Sequence, residues 1–152
     1  MRLAQLGDVA RLVELMVEFY AETGYPCDPA RAAIAFDELV RDPRLRRVWM
    51  LEQDGAAVGY AVLTLGYSLE YGGPDAFVDD LFVRASYRAR GLGKAAIAEA
   101  KRTCLELGVR ALHLEVARDN HVARETYRKA GFLDHDRLLL TLPLAAPLHE
   151  KG

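Results

Sequence analysis

Arg88-Ala89-Arg90-Gly91-Leu92-Gly93-Lys94 sets three cationic side chains, Arg88, Arg90 and Lys94, around two glycines, Gly91 and Gly93. That combination suits an anion. Glycine leaves backbone amides uncovered, and the first turn of a helix offers unpaired N–H groups at the positive end of its dipole. The flanks supply that geometry. Phe77-Val78-Asp79-Asp80-Leu81-Phe82-Val83 reads as a buried strand. From Gly91 to Leu107 the apolar residues recur mainly at helical spacing, through Leu92, Ala96, Ala100, Cys104 and Leu107. Strand, basic glycine loop and helix together make a phosphate or pyrophosphate site, although the two glycines alone could simply start a surface helix. A dinucleotide fingerprint fails because Ala96 stands where its third glycine belongs. A nucleotide-triphosphate loop fails because Ala95 follows Gly93-Lys94 where a hydroxyl is needed.

Other residues able to do chemistry cluster nearby. Asp79 and Asp80 are successive strand residues, so simple alternation points their carboxylates to opposite faces. Asn120 and Tyr127 are two helical turns apart and share a face. Glu115 lies in the strand Ala111-Leu112-His113-Leu114-Glu115-Val116-Ala117 and is either a pocket residue or part of a wet face. His113 reads as a sheet-face residue and His121 as exposed beyond a helix cap. Cys27 and Cys104 show no ligand spacing with the histidines, so neither a metal nor a disulfide framework is expected.

The 152 residues, 51% of them apolar, are enough for one domain with a proper core. A net charge of −2 gives no general attraction to nucleic acid or an anionic membrane. No leader or membrane-spanning run is seen, and a cytoplasmic location is expected. Arg2 to Leu6 reads as a short strand, with a helix from Asp8 to about Thr23 that Gly24-Tyr25-Pro26 stops. Pro29 opens a second helix that ends before Asp42-Pro43. Asp54-Gly55 turns a hairpin between Val48–Glu52 and Ala57–Leu65. Gly108 ends the central helix, and Gly131 ends another that starts at Asn120. Phe132-Leu133 and Leu138 to Leu142 read as a last pair of strands, with Pro143 and Pro147 marking a tail.

Arg88-x-x-Gly91-x-Gly93 resembles the acyl-coenzyme A signature of the GCN5-related N-acetyltransferase (GNAT) superfamily. Asn120-x-x-Ala123-x-x-x-Tyr127 followed by Gly131-Phe132 is similar to its second cofactor block. Two blocks in order are more specific than either alone, and the likeness covers about Val58 to Phe132. Ala85 and Ala89 depart from a frequent proline and a frequent glycine.

The resemblance implies a single N-acetyltransferase domain over residues 1–152, of mixed α/β class. Its sheet would be mixed, mostly antiparallel, with six to seven strands, about four flanking helices and a splayed parallel strand pair. Acetyl-CoA would be bound by the backbone of Leu81 and Val83, by Phe82 between them, by Arg88, Ala89, Arg90, Gly91, Leu92, Gly93 and Lys94, and by Asn120 and Tyr127. Leu81 is the implied oxyanion donor and Tyr127 the implied acid that protonates the departing thiolate. Asp79-Asp80-Leu81-Phe82-Val83 is similar to the Glu-Asp-aromatic-aromatic-Val strand of spermidine/spermine-type acetyltransferases, which makes Asp79 the implied base or substrate anchor. The expected reaction is direct attack of a primary amine on acetyl-CoA in a ternary complex. The amine is expected to belong to a small, cationic molecule, with no nucleic-acid or membrane partner. A protein N-terminal or lysine acetyltransferase and a non-catalytic acyl-CoA sensor are the alternatives. The apolar tail Leu138–Leu144 exposes more strand than a lone domain tolerates, so a homodimer is expected.

Overall fold

A computed structural model describes residues 1–25 and 27–145; Pro26, expected to help stop the first helix, and the tail marker Pro147 lie outside the described residues. The strands are β1 (Arg2–Leu3), β2 (Arg46–Gln53), β3 (Ala56–Ser68), β4 (Gly73–Val83) and β5 (Ala111–Leu114). The helices are α1 (Val9–Glu22), α2 (Pro29–Arg41), α3 (Leu92–Glu106) and α4 (His121–Lys129), with short 3₁₀ turns at Leu6–Asp8 and Ala85–Tyr87. The sheet order is β1-β2-β3-β4-β5, antiparallel throughout except for the parallel β4–β5 pair.

Strand alternation divides the core into two layers. Val48 and Met50 of β2 join Tyr60 and Val62 of β3 beneath Leu12, Leu15 and Met16 of α1 and Ala32 and Phe36 of α2. Trp49 and Leu51 point the other way, with Ala61 and Leu63, onto Ala96, Ala100 and Cys104 of α3. Small residues at Ala96 and Ala100 let α3 lie close to the sheet.

Local chemistry explains the element boundaries. The Asp28 carboxylate accepts from the Ala30 and Arg31 amides, and Pro29 fills the first helical position, so α2 starts there. Asp54 and Gly55 both have positive φ, 53° and 77°, as a two-residue hairpin of the Asp-Gly kind requires. Asp8 ends a 3₁₀ turn rather than capping α1: its carboxylate accepts from the Gln5 amide and pairs with Arg2.

The expectation of six to seven strands needs correction. Five strands form among the described residues, and residues 132–145 contain none. A strand exists only where a neighbour completes its ladder. Arg137 is drawn instead to Glu70 in the β3–β4 connection, at 3.1 Å, and the leucines beyond it pair with no strand.

Candidate active site

The site is built around β4. Its pairing with β5 begins at Asp75↔Ala111 and stops at Val78↔Leu114, whereas pairing with β3 continues to Gly59↔Val83. Residues 79–83 therefore have a strand on one side only. This is the expected splay, and it leaves backbone groups of Leu81 and the Val83 amide on an open edge where an amide-bearing chain could add as a strand. The Phe82 backbone instead faces β3, and the Val83 carbonyl accepts from Arg88.

A β-bulge at the start of that edge changes the expected placement of the acid pair. Val62 pairs with Asp80 and Leu63 with Val78, so Asp79 is the extra residue. Ala76, Val78, Leu81 and Val83 all pack in the α3 layer, while Phe82 packs in the α1–α2 layer. The alternation thus shifts phase between Val78 and Leu81, and Asp79 and Asp80 both turn to the α1–α2 face. Opposite faces, the reading from simple alternation, is incorrect because the bulge inserts one residue.

On that face the pair is differentiated. Tyr60, fully buried on β3, donates its hydroxyl to Asp80 Oδ2 at 2.8 Å. Burial, the largest effect, pushes the Asp80 carboxyl up to about 7; the neighbouring Asp79 charge adds to the rise and the Tyr60 bond opposes it. Desolvation also raises Asp79, whose residue surface is nonetheless exposed. The Tyr20 phenol of α1 is raised by burial and then by the charges of Asp80 and Asp79, which places α1 against both acids. Cys27, just before α2, is raised by burial and by nearby Asp28 and Asp80. A half-buried acid raised towards neutrality, as Asp80 is, can hold a proton taken from an amine; a fully solvated one is poorly matched to that task.

At the C-terminal end of β4 the chain passes the 3₁₀ turn and enters the loop. Ala89 has φ 60° and Gly91 has φ 83°, so the loop turns twice through left-handed backbone before α3 starts. A Cβ on Gly93 would meet nothing within 4 Å, so the first turn of α3 faces open space. Ala95 N–H donates to the Gly91 carbonyl, and the preceding amides of Leu92, Gly93 and Lys94 are those a helix start leaves over. Two of the three expected cations, Arg88 and Arg90, make defined contacts. Arg88 donates through Nε to the Val83 carbonyl at 2.9 Å and pairs with Glu22 of α1, bracing the loop. Arg90 stacks on the Tyr87 ring, 5.2 Å from its centroid.

Asn120 and Tyr127 occur on α4 as expected. The Asn120 carboxamide oxygen accepts from the Ala123 amide at 3.2 Å and caps the helix, which leaves its side-chain nitrogen for a ligand. Tyr127 is half-buried, packs edge-on against Phe132 with centroids 5.9 Å apart, and has its phenol raised by burial. It lines a cavity of about 430 Å³ with Glu115 and Leu114, beyond the point where β5 leaves β4. His113 Nε2 lies 3.3 Å from Asp75, and His121 is exposed at the start of α4. Among the described residues no group of three or more His, Cys, Asp and Glu could hold a metal ion. No helix among them is long and apolar enough to cross a membrane.

Two residues of this arrangement escape sequence reasoning. Nothing in the sequence sets Tyr60 or Tyr20 apart from other core aromatics, and only the register that places Tyr60 diagonally from Asp80 reveals the first contact.

A splayed parallel pair, an open strand edge and a glycine-rich helix start describe an acyl-coenzyme A-binding transferase. The Acetyltransferase (GNAT) family model matches residues 10–132, and the chain belongs to that family. It is an acyltransferase whose donor is acetyl-CoA. An integron cassette protein from the mobile metagenome of Cole Harbour Salt Marsh is 46% identical, with a TM-score of 0.88, covering 98% of this chain and 93% of that one. An aminoglycoside N(6')-acetyltransferase type 1 of Salmonella typhimurium is 25% identical over 118 residues, 76% of this chain and 81% of that protein. An aminoglycoside N-acetyltransferase solved in complex with CoA shares the fold, with a TM-score of 0.80, 18% identity and coverage of 95% and 93%.

Proposed function

We propose that this chain is a single-domain N-acetyltransferase that transfers the acetyl group of acetyl-CoA to a primary amine of a small cationic molecule. The observation that carries the reading is the pair of aspartates turned by the bulge to one face, at the start of the open β4 edge. A primary ammonium with an ordinary pKa near 10.4 is attracted by two carboxylates and must lose a proton before it can attack. The similarity to an aminoglycoside acetyltransferase fits an acceptor of this charge.

The chain's groups then have distinct roles. The backbone of Leu81 and Val83 holds the donor's amide arm, and the Leu81 amide faces the developing oxyanion. Residues 88–94 hold the pyrophosphate, through the amides of Ala89, Gly91, Leu92, Gly93 and Lys94 and the charges of Arg90 and Lys94, while Arg88 fixes the loop. The Asn120 side-chain nitrogen bonds the donor arm. Asp79 meets the amine and takes its proton, with Asp80 behind it. The Tyr127 hydroxyl, kept protonated by burial, gives its proton to the leaving thiolate. The protein works in the cytoplasm as a homodimer, and nucleic acid and membranes are not among its partners.

The test compares acceptors at fixed acetyl-CoA. Small polyamines and aminoglycosides should be acetylated with higher kcat/KM than neutral primary amines of similar size or peptides with a free N-terminus. A preference for the peptides would replace this reading with protein N-terminal acetylation.

A further inference from the structure

The sheet face that carries the two aspartates is covered over only part of its length. α1 and α2 pack over Val48, Met50, Tyr60, Val62 and Phe82. The next row of that face is Thr64 on β3, Phe77 on β4 and His113 on β5, side by side in the register. Ala76 and Val78 on either side of Phe77, and Leu112 beside His113, turn to α3. Phe77 and His113 therefore point the same way as Asp79. Phe77 is 39% exposed there, in the open half of the face.

A lone exposed phenylalanine is ordinary, but this one has a built support. The His113 ring lies beside it, with centroids 4.9 Å apart and planes tilted by 35°. His113 Nε2 is in turn 3.3 Å from Asp75 Oδ2, and Tyr71 meets the imidazole edge-on with centroids 5.8 Å apart. Gly66 makes room for the carboxylate, because a Cβ there would stand 2.9 Å from Asp75 Oδ1. The imidazole is thus fixed from two sides, and Phe77 and His113 form one aromatic floor. That floor lies where β4 and β5 part. Val78↔Leu114 is the last pair of the two strands and its side chains turn to the α3 side, so Phe77↔His113 is the last pair on the acid side. Asp79 follows Phe77 by two residues, a strand rise of about 6.6 Å.

We propose that Phe77 is the specificity-determining residue for the acceptor, holding an apolar carbon body joined to the reacting amine. The preferred class is then a primary amine that carries an aryl or alkyl body, ahead of equally charged amines without one. This rests on the reading that the amine meets Asp79. An ammonium at that carboxylate, with its body about two or three bonds away, sets the body over the Phe77 ring at the base of the splay. Taking the exposed ring and the body out of water favours the arrangement, and a flat aryl body gains further by offset or edge-on contact with Phe77. Because Asp75 and Tyr71 hold His113, the floor is in place before the acceptor arrives, which lowers the ordering cost of binding.

Acetylation of 2-phenylethylamine and of propylamine, at fixed acetyl-CoA, tests the proposal in the native chain, Phe77→Ala and Phe77→Tyr. Both amines carry one ammonium, so the ratio of their kcat/KM values isolates the body. A general loss of activity in a variant cancels from that ratio. The native ratio should favour 2-phenylethylamine by at least about tenfold. It should collapse in Phe77→Ala and survive in Phe77→Tyr, which keeps the ring. A native chain that does not distinguish the two amines, or a native ratio retained in Phe77→Ala, would overturn the proposal. Calorimetric binding of 2-phenylethylamine to the protein saturated with coenzyme A separates this subsite from the reading on which it rests. Binding that depends on Phe77, without acetylation of any amine, would keep the subsite and remove the amine-acetylation reading.

Discussion

The Tyr60 hydroxyl donates to Asp80 across the β3–β4 ladder at 2.8 Å, from a side chain with no solvent exposure. Asp79, Tyr20 and Cys27 also surround this carboxylate, and none is a cation. The hydrogen bond therefore favours its ionised form, against the burial that opposes it. Tyr60→Phe should shift the acid limb of the kcat/KM profile to higher pH, with activity recovering towards the native value on the alkaline side. An equal loss at every pH, with the limb unmoved, would reduce Tyr60 to a packing residue.

Asp80 also links stability to pH. Its carboxyl is raised from 3.8 to about 7, so between those values the folded chain binds a proton that the unfolded chain has released. The stabilising contribution is complete below the lower value and is lost as pH rises through the upper one. Over that window it should fall by at most about 1.4 kcal/mol per pH unit. Asp80→Asn has no such proton to lose. Melting curves from pH 4 to 8 should show the variant gaining on the native protein as pH rises; parallel curves would remove Asp80 as the linked group.

The donor loop depends on backbone shape. Gly91 has φ 83°, and a β-branched residue cannot adopt that conformation without strain. Gly91→Val should weaken acetyl-CoA binding by at least tenfold, about 1.4 kcal/mol, while circular dichroism remains native. Calorimetry that gave native affinity in the folded variant would contradict the assignment of the loop to the pyrophosphate.

Tyr127→Phe removes one hydroxyl and retains the ring that packs on Phe132. If that hydroxyl protonates the thiolate, kcat should fall about 10²-fold or more with acetyl-CoA affinity little changed. An unchanged rate with a lower melting temperature would make the tyrosine a packing residue.

Much of this was legible in the chain. The Asp54-Gly55 hairpin, the Gly91 helix start and the Asn120 cap follow from local residue chemistry, which acts over a few positions, and the parallel β4–β5 pair from the family resemblance. The bulge did not, because it is a property of how Leu63 and Val62 register against Val78 and Asp80. Without that register, neither the common face of the two aspartates nor the Tyr60 contact can be inferred. The leucine run had the composition of a strand, but composition does not supply the neighbouring edge that a strand requires.

The central claim is amine-dependent acetyl transfer, and release of free thiol from acetyl-CoA measures it directly. The account predicts thiol release that appears on adding a small cationic amine, matches the N-acetylated product one to one, and falls about 10²- to 10⁴-fold in Asp79→Asn. Tight acetyl-CoA binding with no amine-dependent thiol release across the acceptor panel would contradict it.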